Sequence, residues 1–190
     1  MPKETGRLLR ADAQRNRDKI LAAAVRVFAE EGLDAHMERI AKEAGVGSGT
    51  LYRNFPTREV LIEAAYRKEL AKLCDAAPEL LAALPPRDAL RAWMGRFIDY
   101  ATAKFGMADA LRSLVASGVN PYAQSHELIL TALTSLLDAS VEAGAVRRDI
   151  GATDMFAALT GIALASGRPE QREQAERLLD LTLDGLCTGT

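Results

Sequence analysis

The stretch AHMERIAKEAGVGSGTLYRNFPTRE, residues 35–59, decides the fold of this chain of 190 residues. Apolar residues at helical spacing mark two short segments, residues 37–44 and 48–55, and a turn containing Gly45 separates them. Two short helices joined by such a turn have the sequence form of a helix-turn-helix. Ala41 is small enough for a close crossing of the two helices, and glycine adopts a positive φ in the turn at little cost.

The second short helix presents a face that suits nucleic acid, because its outward residues carry hydroxyl, amide and guanidinium groups and no acid. Phosphates and base edges accept hydrogen bonds, and arginine or asparagine can form paired bonds with guanine or adenine. The start of the next helix and the basic N-terminal run supply further cations, although that run is equally consistent with a solvated helix face. The residues expected to contact DNA are Arg7, Arg10, Gly47, Ser48, Thr50, Tyr52, Arg53, Asn54 and Arg58.

The stretch IAKEAGVGSGTLYRNFPTREVL, residues 40–61, resembles the DNA-binding signature of the TetR family of bacterial transcriptional regulators. The resemblance extends over residues 14–66, and the GTLY motif, the phenylalanine after it and the following helix start are all in register. It implies an N-terminal three-helix unit that reads DNA and a helical ligand-binding core. It also implies a homodimer formed by the last two long helices.

Two departures from the family pattern concern the ends of the helix-turn-helix. His36 and Arg39 stand where the family often has a hydroxyl residue and an acid, which together form a capping box. We expect either that Asp34 caps the first short helix or that its start is frayed. Asn54 stands where an aromatic residue is common, so the preferred base cannot be transferred from relatives.

Helical spacing of apolar residues continues through the rest of the chain, which predicts an all-α protein of about nine helices. We expect a helix-turn-helix DNA-binding domain with a basic N-terminal arm in residues 1–58. Residues 59–190 are expected to form a helical domain for effector binding and dimerisation. The predicted helices are residues 13–31, 37–44, 48–55, 57–76, 87–105, 108–117, 123–143, 153–166 and 169–186.

The distribution of charge separates the two parts of the chain, although the whole chain has a net charge of only −2. Residues 1–72 contain 14 basic and 11 acidic residues, a net charge of +3, whereas residues 73–190 contain 10 and 15, a net charge of −5. No apolar run is long enough for a membrane span, and no signal peptide is recognisable, so we expect a cytoplasmic protein.

Cysteine and histidine are too scarce to indicate a bound metal. Cys74 and Cys187 are the only cysteines, and their apolar helical surroundings favour buried, reduced thiols. His36 and His126 are the only histidines, and both are interpreted as surface residues. We therefore expect neither a metal nor a cofactor.

An aromatic stripe in the second half of the chain is the candidate ligand site. Trp93, Phe97 and Tyr100 share one helix face, since they are spaced by four and three residues. Such a stripe is usually plain core, but a few polar groups around it also suit a pocket for a small effector. The candidate ligand-binding residues are Trp93, Met94, Phe97, Tyr100, Phe105, Met107, Leu111, Leu114 and Tyr122.

The last predicted helix carries more leucine than its own core requires. At about 100° per residue, its leucines span an arc of about 200°, wider than the roughly 100° stripe that packs on a single core. Burial inside a larger monomeric core is the alternative to a dimer interface. The candidate interface residues are Phe156, Leu159, Ile162, Leu179, Leu183 and Leu186.

Together these features predict a homodimeric transcriptional repressor that binds a near-palindromic DNA operator and is released by a small apolar or amphipathic ligand. Control by a protein partner is an alternative. An all-helical enzyme is a second one, although no nucleophile with a base and no metal-ligand spacing is found. The operator, the effector, the regulated genes and the sign of regulation do not follow from the sequence.

Overall fold

The computed structural model describes the backbone of residues 2–166 and 169–187, and their side chains except at residues 2–10, 33 and 169. Over these residues the chain forms nine α-helices and two short 3-10 turns, Gly32–Asp34 and Pro169–Gln171, with no strand beyond one isolated bridge. The helices are α1 (Pro2–Glu31), α2 (Met37–Ala44), α3 (Ser48–Asn54), α4 (Arg58–Ala83), α5 (Pro86–Gly106), α6 (Ala108–Ala116), α7 (Ser125–Glu142), α8 (Ala152–Ser166) and α9 (Arg172–Leu186).

The all-α prediction is confirmed, and every predicted helix has a counterpart. Two helices are longer than expected, since α1 begins at Pro2 and α4 ends at Ala83. The predicted end of α4 before Pro78 is wrong because the helix continues through the proline. A proline inside a helix costs roughly 3 kcal/mol. Burial of Ala77 and Leu80 on either side of it offsets that cost.

The first compact unit comprises the residues up to Lys68 together with Gly106–Pro121. Here α1 packs along α2, α3 closes the other side of the small core, and α6 lies against the 3-10 turn after α1. Its largest fully buried side chains include Phe28, Ile40, Leu51 and Phe55. Val46, in the turn between α2 and α3, is only partly buried.

The second compact unit comprises Glu69–Phe105 and the chain from Tyr122 onward. The fully buried Trp93 is at its centre and donates a hydrogen bond from Nε1 to the Leu73 carbonyl, 2.9 Å away. The antiparallel arrangement of α5 and α9 is reinforced by ion pairs at their surface. Arg91 contacts Glu176 and Asp180, both at 2.6 Å, which ties α5 to α9.

The division between the two units falls within α4. Residues of α4 up to Lys68 belong to the first unit, where Leu61, Ile62 and Tyr66 are buried. Residues from Glu69 onward belong to the second unit. The functional boundary between residues 58 and 59 stays a prediction.

Both cysteines are free, and they are partly rather than fully buried. Burial raises the pKa of the Cys74 thiol, so Cys74 stays a thiol at neutral pH. Cys187 accepts a hydrogen bond on Sγ from Arg87 Nε at 3.3 Å. In the part of the chain that the structure describes, none of the helices combines the length and apolar character needed to cross a membrane.

Gly106 ends α5 at a point of close contact with α1, because a Cβ atom built there would lie 2.7 Å from the Ala29 Cβ. We expect Gly106→Ala to lower the free energy of unfolding by roughly 1–3 kcal/mol through this clash. The matched control is Gly49→Ala in α3, where a Cβ would meet nothing within 4 Å. That control should be neutral or stabilising by up to about 1 kcal/mol. Urea unfolding measures both, and equal effects would contradict the proposed close contact.

Candidate nucleic-acid interface

The turn between α2 and α3 depends on one left-handed residue. Gly45 has φ +66° and ψ +35°, and its N–H donates to the carbonyls at the end of α2. The next residue, Val46, donates its N–H to the Ala41 carbonyl at 3.0 Å. These bonds satisfy carbonyls that the helix leaves without partners, as a glycine C-cap commonly does. The expected positive φ at Gly45 is confirmed.

The outer face of α3 carries most of the residues expected to contact DNA. Gly47, Ser48, Tyr52 and Arg53 are exposed, and Thr50 and Asn54 are partly exposed. The helix itself contains no acidic residue. The structure thus places six of the predicted contact residues on one short helix and the residue before it.

Two side chains at the end of α3 bond to the helix that carries them. Arg53 donates from Nε to the Gly49 carbonyl at 3.1 Å and from Nη2 to Thr50 Oγ1 at 3.2 Å. Asn54 donates from Nδ2 to the Thr50 carbonyl at 2.8 Å. These local bonds hold both polar groups close to the helix surface.

Tyr52 connects the two helices of the motif through a residue that sequence reasoning missed. Its hydroxyl donates to Glu38 Oε1 at 3.0 Å. A bond to its own backbone amide and then the Tyr52 hydroxyl lower the pKa of the Glu38 carboxyl, and the same carboxylate raises the pKa of Tyr52. The signal available in the sequence was an acid in the first turn of α2, where the positive helix end favours it.

The start of α2 lacks the capping box, as the sequence predicts. His36 occupies the N-cap position without a side-chain cap bond, and Asp34 lies in the preceding 3-10 turn, so Asp34 does not occupy the cap position. Arg39, in place of the family's acid, contacts Glu43 at 2.8 Å and Glu31 at 3.4 Å. The pair with Glu31 connects α2 with the end of α1, whereas the pair with Glu43 lies within α2. Each has a small effect on stability.

Arg58 is the predicted contact residue whose surroundings differ most from expectation. Its Nη2 donates to the Gly32 carbonyl at 3.1 Å, and its Nη1 donates to the Ala35 carbonyl. The guanidinium carbon lies 5.1 Å from the centre of the Phe28 ring. The side chain is therefore directed into contacts within its own unit. The side chains of Arg7 and Arg10 lie outside the described residues.

The candidate ligand residues are divided between the two compact units. Most are buried, but Phe105 is 41% exposed, and the partly buried ring of Tyr122 lies 4.9 Å from Lys104 Nζ. The first unit contains Met107, Leu111 and Leu114, and the second contains Trp93, Met94, Phe97, Tyr100, Phe105 and Tyr122. In the second unit, the rings of Phe97 and Phe156 meet edge to face at 5.9 Å, extending the stripe to α8.

A cavity of about 410 Å³ opens between α4 and α5 of the second unit. Of the candidate ligand residues, Tyr100 lines it. The other lining residues are mainly charged, with four carboxylates and two cations. They are Glu69, Lys72, Leu73, Asp75, Glu79, Arg96 and Asp99.

Four of the six candidate interface residues are buried inside their own chain, with at most 4% of their surface exposed: Leu159, Leu179, Leu183 and Leu186. Phe156 and Ile162 are partly exposed. The wide leucine arc on α9 is real, but its inward half covers the core of the unit. The large apolar side chains exposed on the described parts of these two helices are Leu164 on α8 and Leu181 on α9, with exposed fractions of 71% and 68%.

Two short helices joined by a tight glycine turn, with a donor-rich and acid-free face on the second, define a DNA-binding protein of the helix-turn-helix class. Residues 20–65 match the family described as bacterial regulatory proteins, tetR family. Residues 85–188 match the C-terminal domain of SbtR-like transcriptional regulators.

Solved structures of similar proteins agree with these matches. A TetR transcriptional regulator from Streptomyces coelicolor is 74% identical, with a TM-score of 0.88 over 92% of this chain and 99% of that one. A TetR transcription regulatory protein from Mycobacterium vanbaalenii is 35% identical, with a TM-score of 0.77 over 95% and 99% of the two chains. An HTH-type transcriptional regulator of Staphylococcus aureus is 43% identical over 63 residues. That match spans about a third of each chain, 33% of this one and 34% of the regulator.

The chain therefore belongs to the TetR family. It is a DNA-binding transcriptional regulator and not an enzyme. Over the described residues, no group of three or more histidine, cysteine or acidic side chains is arranged to hold a metal ion.

Proposed function

We propose that this regulator is a cytoplasmic, homodimeric repressor that binds a near-palindromic operator and is released by a small amphipathic ligand. The observation that carries the proposal is the exposed face of α3, which has polar donors and no acid. In a two-fold dimer, two such helices enter successive major grooves about 34 Å apart. A protein bound across both grooves blocks access to the DNA, which is why we propose repression.

The support for a dimer comes from an uncharged outer face on α8. Between Met155 and Ser166 this helix has no charged residue, and the exposed side of that segment includes Ala158, Gly161 and Leu164. On the adjacent α9, Leu181 is exposed as well. An exposed helix face without charge is unusual for a solvated surface and suits contact with a second copy of the chain.

The support for a ligand is the cavity between α4 and α5. Its apolar surface comes from Leu73 and Tyr100, and carboxylates outnumber cations around it. This combination suits an amphipathic molecule with a cationic group. Such a ligand releases DNA only as far as it prefers the conformer that binds DNA poorly.

The first test concerns base reading by α3. We expect the protein to enrich near-palindromic duplexes from a random-sequence library, and Arg53→Ala to relax the preference at one base position by roughly 1–3 kcal/mol. The matched control is Arg112→Ala on α6, whose exposed guanidinium pairs with Asp109 in its own helix. An unchanged preference for Arg53→Ala would count against base reading by this residue.

The second test concerns the dimer. We expect Leu164→Glu and Leu181→Glu each to raise the dimer dissociation constant about 100-fold or more, because a buried unpaired carboxylate is strongly unfavourable. Leu84→Glu is the control, since Leu84 is an exposed leucine outside α8 and α9, with 39% of its surface exposed. Sedimentation equilibrium measures the association, and a tight dimer in both interface variants would contradict this surface.

The third test concerns the ligand. Trp93 is the only tryptophan, and it bonds to the carbonyl of Leu73, a residue that lines the cavity. We expect alkyl- and arylalkylamines, which are protonated at neutral pH, to shift Trp93 fluorescence when they bind there and to weaken DNA binding. Carboxylates with the same apolar groups serve as the control. If the amines had no effect on either signal, or the carboxylates acted equally well, a cationic ligand at this cavity would be excluded.

A further inference from the structure

Arg58 lies at the first position of α4 and reaches back to the chain segment between α1 and α2. Its two terminal nitrogens bond to the Gly32 and Ala35 carbonyls, and one face of the guanidinium covers the Phe28 ring. The side chain is only partly exposed. Two of the five N–H donors of the guanidinium are thus bonded to backbone carbonyls of its own unit.

The electrostatics at the end of α1 explain why an arginine is held there. The end of a helix leaves carbonyl groups without intrahelical partners and carries a partial negative charge. No basic residue is present in the last turn of α1. Arg58 therefore supplies donors to two carbonyls that follow this helix and adds positive charge near its end.

A second arginine contacts the chain at the C-terminal end of α3, the end that leads to Arg58. Arg17, on α1, lies over the Phe55 ring with its guanidinium carbon 4.5 Å from the ring centre. Its Nη1 lies 3.5 Å from the carbonyl oxygen of Asn54, the last residue of α3. Phe55 itself is fully buried. Two arginines thus hold the chain where it leaves α3. Arg17 contacts Asn54 and Phe55, and Arg58 lies three residues after Phe55.

We propose that Arg58 is a positioning residue that fixes the orientation of α3, and not a phosphate contact. The inference depends on the proposed reading of DNA by α3. Since only Phe55, Pro56 and Thr57 separate α3 from α4, anchoring the first residue of α4 to the end of α1 also anchors the end of α3. Arg58 therefore affects which sequence is read more than how strongly DNA is attracted.

The experiment measures affinity for two duplexes at several salt concentrations. One duplex is selected by the wild-type protein from a random-sequence library, and the other is a scrambled duplex of the same composition. We expect Arg58→Gln and Arg58→Lys each to lose about tenfold in affinity for the selected duplex. Affinity for the scrambled duplex and the slope of log affinity against log salt should stay unchanged, because no phosphate contact is lost.

The opposite pattern would overturn the proposal. If Arg58 neutralises a phosphate, Arg58→Gln weakens binding to both duplexes equally and reduces the salt slope by about 0.9. Arg58→Lys, which keeps the charge, then retains wild-type affinity. Unchanged affinity of Arg58→Gln for the selected duplex would overturn the proposal as well.

Two further variants keep the test decisive. Arg67→Gln removes an exposed arginine from the same helix, paired with Glu63 at 2.8 Å, and should change neither the affinity for DNA nor the salt slope.

Phe28→Leu keeps the charge of Arg58 but removes the aromatic ring that its guanidinium covers. If Arg58→Gln does not fold, Arg58→Lys and Phe28→Leu should still lose affinity for the selected duplex alone, and wild-type affinity in both would overturn the proposal. Failure of the wild-type protein to enrich any duplex would instead contradict the proposed function.

Discussion

The exposed face of α3, which is proposed to contact DNA, depends on the packing of two helices that are too short to be stable alone. Helices α2 and α3 contain eight and seven residues, whereas isolated helices below about 12–15 residues are marginal in water. What stabilises them is a common apolar core with α1, in which Phe28, Ile40 and Leu51 are fully buried. The polar face of α3 is held toward solvent because its opposite face occupies this core.

The ends of these helices need partners as much as their faces do. Gly45 satisfies carbonyls at the end of α2 through its left-handed conformation, and Arg58 donates to carbonyls that follow α1. In both cases a single residue donates hydrogen bonds to backbone carbonyls and lies where the chain turns into the next helix. Tyr52 and Glu38 add a side-chain bond across the motif. The orientation of α3 therefore rests on a few directional contacts around a small core.

The second unit is stabilised by other kinds of contact, which explains why the roles of its surface residues are harder to predict from the sequence. Its core consists of buried aliphatic and aromatic side chains that include Trp93, while ion pairs such as Arg91 with Glu176 lie nearer its surface. Both kinds of contact use residues that also suit an interface or a ligand site. Apolar character alone does not separate these roles, because a leucine that faces the core and one that faces solvent have the same hydropathy.

The sequence by itself determined the all-α fold and the helix-turn-helix, because helical periodicity and the turn glycine at Gly45 are local properties. The direction in which individual side chains point was decided only by tertiary structure. Helix geometry places Leu179 and Leu181 about 200° apart, but only packing decided that the side with Leu179 is buried and the side with Leu181 exposed. It also directed Arg58 toward distant backbone carbonyls. Sequence spacing assigns residues to a helix, but the packing partner selects which side of that helix is buried and where a long side chain finds its hydrogen bonds.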